Sequence, residues 1–252
     1  MKAGVAAFDR ALSFYRRLDP PPEKEMAIAL SSRGLLLSDD GQYDAADRSL
    51  SDALAIFQRT IGENHLTTGK CWFALAQNAF NAGRLPLAEQ RIDQALRIER
   101  AVLDVDNPTL ADTLSMQGQI LQGEGKLADA ERALREAIAI YRKAFKGPHY
   151  LIGIADVYLG LLQSDRGDTA GALATLADAK RNYDASYGKL HPNHGDLLVN
   201  RARVLAKAGR LAEAKADCAA GIAILRQTMG ADASFTKSSA AVCAALKGPA
   251  GA

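Results

Sequence analysis

Five glycines, Gly41, Gly83, Gly125, Gly167 and Gly209, stand 42 residues apart. A fixed period of that length means that one supersecondary unit recurs, each copy burying its apolar face against the next. The contexts agree: GQYDAA, GRLPLA, GKLADA, GDTAGA and GRLAEA. Three ladders of small residues keep the same register. Five residues after each glycine stand Ala46, Ala88, Ala130, Ala172 and Ala214. Twelve after it stand Ala53, Ala95, Ala137, Ala179 and Gly221. Seven before it stand Gly34, Ala76, Gly118, Gly160 and Ala202. A second turn series, Gly62, Asp104, Lys146, Gly188 and Gly230, closes each period amid Gly, Pro, Asn and Asp.

Each unit therefore reads as two helices and two turns. In the second unit, helix A spans about 66–81 and helix B about 85–103, with Leu85, Ala88, Ile92, Ala95, Leu96 and Val102 near helical spacing. Pro108 and Pro192 fall at the start of an A helix, and Pro86 in the first turn of a B helix, where a missing N–H costs nothing. The small ladders have a mechanical reason, because two helices approach closely only where side chains are small. The period also falls near that of β-propeller blades and of HEAT and armadillo repeats. A propeller fails on the absence of alternating β patterns and Trp-Asp pairs. The small ladders and the Gly-x-Tyr/Leu turn argue against HEAT.

Composition narrows the function classes. The chain is 48% hydrophobic and 24% charged, which supports a long buried core rather than a disordered chain. Its net charge of +2 provides no field to gather nucleic acid or an anionic membrane. No segment approaches the roughly 18 apolar residues of a membrane span. Cys71, Cys218 and Cys243 are odd in number and form no CxxC pair, so they are expected to be reduced thiols. With no signal peptide at its start, the chain is expected to be cytoplasmic.

The pattern resembles the tetratricopeptide repeat, in the 42-residue form of kinesin light chains, over about residues 23–246. The resemblance rests on the small ladders, on the turns Gly41-Gln42-Tyr43, Gly83-Arg84-Leu85, Gly125-Lys126-Leu127 and Gly209-Arg210-Leu211, and on Ala53-Leu54-Ala55-Ile56 with its counterparts at 95–98 and 137–140. The family's inter-repeat turn survives best as Gly188-Lys189-Leu190-His191-Pro192. The resemblance implies an all-α, right-handed superhelical solenoid of antiparallel helix hairpins, with about twelve helices. The expected organisation is a single array over 1–252. It has a half-unit at 3–19, units at about 23–62, 65–104, 107–146, 149–188 and 191–230, and a capping helix at 231–246. Residues 3–17 then form a helix B without its helix A, suggesting either a piece of a longer protein or a start that borrows a partner.

What the family implies for function is a scaffold that binds a partner peptide or helix in a concave groove lined by A helices. Carrying its groove positions over gives Lys70, Phe73, Gln77 and Phe80 in the second unit, and Asp112, Ser115, Gln119 and Gln122 in the third. Val157 and Leu161 follow in the fourth, and Asp196, Asn200 and Arg203 in the fifth. The paired asparagines of kinesin-light-chain-like A helices are replaced here by Ser31-Ser32, Phe73-Ala74, Ser115-Met116 and Val157-Tyr158, so only Asn200 remains. The alternative is a regulatory or sensor module of a larger protein, for example ahead of a caspase-like protease domain. Homo-oligomerisation through the unpaired first helix is a further expectation, whereas nucleic-acid or membrane partners are not.

Catalytic readings find little support. The segment 62–70 has glycines seven apart where a phosphate loop needs five. His65, His149 and His191 recur at turns, and no third metal ligand accompanies His191 and His194. No nucleophile–base constellation is visible. The chain is therefore expected to be no enzyme and to need no cofactor or metal.

Overall fold

The computed structural model describes residues 2–247. Among them it contains twelve α-helices and no strand. These are α1 (Lys2–Tyr15), α2 (Glu23–Asp39), α3 (Tyr43–Ile61), α4 (Leu66–Asn81), α5 (Leu85–Val102) and α6 (Pro108–Gly123), followed by α7 (Leu127–Phe145), α8 (Tyr150–Asp165), α9 (Thr169–Tyr187), α10 (Pro192–Lys207), α11 (Leu211–Met229) and α12 (Ser234–Ala245). Two compact units divide the chain, Met1–Ala130 and Glu131–Ala252.

The glycine ladder ends the A helices. All five glycines have positive φ, from 72° to 87°, which the absence of a Cβ permits without strain. At each, two backbone bonds fold the chain back over the last turn. After α4, for example, Gly83 N donates to Phe80 O at 2.9 Å and Arg84 N donates to Ala79 O at 2.8 Å. This double closure satisfies carbonyls that the helix end would otherwise leave open.

The opposite turn begins the next A helix, and a side chain caps it. Nδ1 of His65, His149 and His191 accepts from the backbone N–H of Thr67, Leu151 and Asn193, and Oδ1 of Asn107 accepts from Thr109. These four residues are 42 apart. The recurrent histidines are thus helix caps.

The small ladders lie where helices cross. Every alanine five residues after the glycine is fully buried. A Cβ added at Gly34 would lie 2.6 Å from Leu50 Cγ, and one at Gly160 would lie 3.2 Å from Ala172 O. In the first unit, α2 packs on α3 and α4 on α5, with a core that includes Leu30, Leu50, Leu54, Phe57 and Leu75. In the second, α8 packs on α9 and α10 on α11, around Leu176, Tyr183, Leu197 and Val204.

The cysteine expectation is corrected. Cys218 of α11 and Cys243 of α12 form a disulfide, and only Cys71 among the described residues is free. The two lie 25 residues apart with no motif to mark them, and they meet because α12 folds back against α10 and α11. Cys71 is buried, its thiol pushed up to about 12 by burial, and is inert at neutral pH. The disulfide removes one support for a reducing cytoplasm.

Candidate partner-binding surfaces

In the first unit, α4 places Lys70, Phe73, Gln77 and Phe80 on one helical face. α6 places Asp112, Ser115, Gln119 and Gln122 on the corresponding face. Lys70 and Asp112 are exposed, Ser115 is buried, and the other five are half-buried. Phe73 and Phe80 pack against a cluster of Ala76, Ala79, Ala88, Ile92 and Ile120. Their rings thus belong partly to the core between α4, α5 and α6 while keeping accessible surface. Gln119 Nε2 donates to Ser115 O at 3.4 Å.

Glu99 of α5 adds a buried charge near Lys70 and Asp112. It is 1% exposed, and its Oε2 has no hydrogen-bond partner. Burial pushes its carboxyl up to about 7, and Asp112 pushes the same way. A hydrogen bond to Thr113 and the charge of Lys70 oppose the rise.

In the second unit, Val157 is buried and Leu161 half-buried, both in the α8–α10 core. Asp196, Asn200 and Arg203 form a chain along α10. Asn200 Nδ2 donates to Asp196 Oδ2, and Arg203 Nη1 donates to Asn200 Oδ1, both at 3.1 Å. Burial raises the Asp196 carboxyl against these two partners. The unit thus joins three polar candidates into one network and commits the two apolar ones largely to the core.

Two cavities lie on the opposite side of the A helices, where sequence reasoning assigned no site. One, of 530 Å³, is lined by Ser51 and Leu54 of α3, Trp72 and Leu75 of α4, and residues of α5. The other, of 240 Å³, is lined by α7, α8 and α9, with Asp156 among its residues. Trp72 and Asp156 occupy the same repeat position, which Leu30, Leu114 and Leu198 fill elsewhere. That break in a leucine column is the signal that was available in the sequence.

The folded chain is thus an all-α solenoid of helix hairpins, a class that supports protein-interaction scaffolds in general. Family models described as "Tetratricopeptide repeat" match residues 25–98, 75–143, 154–178 and 196–232. The chain belongs to the tetratricopeptide repeat family.

Protein KINESIN LIGHT CHAIN-RELATED 1 of Arabidopsis thaliana is 24% identical over 223 residues. That match covers 85% of this chain and only 36% of the relative, so the chain spans about a third of that protein's length. Among solved structures, BtubC (BKLC) from P. vanneervenii superposes with a TM-score of 0.74 at 19% identity, covering 90% of this chain and 91% of that one. The apo form of the quorum sensor NprR from B. thuringiensis gives 0.68 at 15% identity, covering 97% and 65%. At these identities the likeness shows the fold. Among the described residues, no helix is long and apolar enough to cross a membrane.

Proposed function

We propose that the chain binds a peptide or helix of a partner protein along the α4–α6 face. The observation that carries this reading is the pair Phe73 and Phe80, two turns apart, half-buried, and flanked by exposed Lys70 and Asp112. Half-buried aromatic rings held by a packed core are rigid apolar anchors that lose little entropy on binding. Gln77, Gln119 and Gln122 supply amides suited to a partner's backbone. Asp196, Asn200 and Arg203 offer a second polar contact set of the same kind. Asn200 is the one position where the asparagine of kinesin-light-chain-like repeats remains.

The test is affinity for a captured partner, measured with the wild type and with Phe73→Ala combined with Gln119→Ala. Loss of roughly tenfold or more is expected, in the range of a central interface anchor. Equal affinity overturns the assignment of this face.

Self-association through α1 is a separate reading. Gly4, Phe8, Ala11 and Tyr15 correspond to Ala46, Leu50, Ala53 and Phe57, which α3 buries, yet in α1 they are only half-buried. That half-covered apolar stripe is what supports a second copy of the chain as its partner.

A further inference from the structure

The cavity between α7, α8 and α9 combines observations that a plain helix contact does not explain. Its floor is Asp156, 2% exposed. The same repeat position is leucine in three units. Asn182 of α9, which meets Asp156, likewise replaces Ile56, Ile98, Ile140 and Ile224 of the other units. One unit has therefore exchanged two apolar residues for a carboxyl and an amide that meet.

That exchange is costly, since a buried carboxyl needs compensation that Leu and Ile do not. The compensation is only partial. Asn182 Nδ2 donates to Asp156 Oδ2 at 3.1 Å, the one hydrogen bond Asp156 accepts among the described residues. Asn182 is itself fixed, donating to Asp178 O at 3.1 Å and accepting from His149 N at 3.2 Å. Asp156 is thus held in place with Oδ1 left over. Burial accordingly raises its carboxyl to about 6, against the charges of Arg142 and Arg181.

The rim is mostly spoken for. Arg135 pairs with Glu131, Asp178 pairs with Arg181, and Thr175 donates to Gln163 at 2.8 Å. Among the described residues Arg142 makes no salt bridge, and its charge acts on Asp156 from the rim. Isolated small-molecule sites run to roughly 300–1,000 Å³. At 240 Å³ this cavity is the size of one long side chain.

We infer that this cavity is a socket for a lysine or arginine side chain of a partner protein, with Asp156 receiving the cation and Arg142 pairing an acidic residue beside it. A charge-assisted bond to the second carboxylate oxygen supplies the missing compensation. Asn182 is a positioning residue that aims the acceptor. Asp156, Leu159 and Gln163 lie on the face of α8 opposite Val157 and Leu161, so the socket is independent of the α4–α6 face and of the reading proposed for it.

The probes are blocked tripeptides, Glu-Lys-Glu and Glu-Arg-Glu, with Glu-Leu-Glu as control, titrated against the isotope-labelled full chain by amide NMR. Saturable shifts at Asp156, Leu159, Gln163, Thr175 and Asp178 are expected with at least one basic peptide, with Kd of roughly 1–10 mM for so short a probe. Glu-Leu-Glu should bind roughly tenfold more weakly or not at all. Asp156→Leu combined with Asn182→Ile restores the residues of the other units; it should keep or raise the Tm and abolish the shifts. Asp156→Asn keeps the shape and should weaken them. The socket is overturned by shifts as large with Glu-Leu-Glu, by binding unchanged in the double variant, or by no saturable shift with either basic peptide. In the last case Asp156 and Asn182 are a structural link between α8 and α9.

Discussion

Glu99 stands where the other units place Phe57, Tyr141, Tyr183 and Leu225, so a carboxyl fills an aromatic or leucine position. Its raised value has a definite sign. The unfolded chain releases this proton near the ordinary 4.5, while the folded chain holds it to about 7. Between those values the folded state binds more protons, so stability falls as pH rises and levels off above 7. Glu99→Gln keeps a hydrogen-bonding partner for Thr113 and removes the titration. Its unfolding free energy should exceed the wild type's at pH 8 by roughly 2 kcal/mol once solvent relaxation is allowed for, with a correspondingly higher melting temperature, and differ little at pH 4.5. Thermal melts across that range measure it; a constant difference would mean that Glu99 is not the titrating group.

The helix crossings and the last helix carry the predictions at the level of elements. Ala172 is fully buried, and its carbonyl oxygen would lie 3.2 Å from a Cβ on Gly160. Ala172→Leu should overpack the α8–α9 crossing and cost about 1–3 kcal/mol in urea denaturation. An unchanged midpoint would remove this residue from the crossing. The Cys218–Cys243 bond closes a 25-residue separation and ties α12 to α11, for which chain entropy gives about 3 kcal/mol. Reduction should speed hydrogen exchange in α12 well before it affects α8 or α9. Uniform exchange rates under oxidising and reducing conditions would show that the bond does not hold α12. Element positions were legible because glycine turns and proline starts punctuate the chain. α5 ends at Val102, one residue short of the sequence expectation, and α12 spans Ser234–Ala245 rather than 231–246.

For the whole molecule, the informative assay is association state. Phe8 and Tyr15 of α1 are only partly buried against the α2–α4 core. Phe8→Asp, which charges that stripe, should shift sedimentation equilibrium toward monomer if copies pair through α1. A wild type that is monomeric at high concentration would dispose of that reading.

Periodicity by itself determined the class of fold, because each 42-residue copy states the same turns and the same small contact points, and independent copies agree. The candidate surface was legible only as a set of positions. Whether Phe73 faces solvent or core depends on its neighbours Ala88, Ile92 and Ile120, which no local pattern specifies. The disulfide was decided by tertiary structure alone, and the sequence marked the Asp156 socket only as a break in a leucine column. Both depend on side chains from different helices meeting in space, and a sequence records spacing along the chain, not proximity across it.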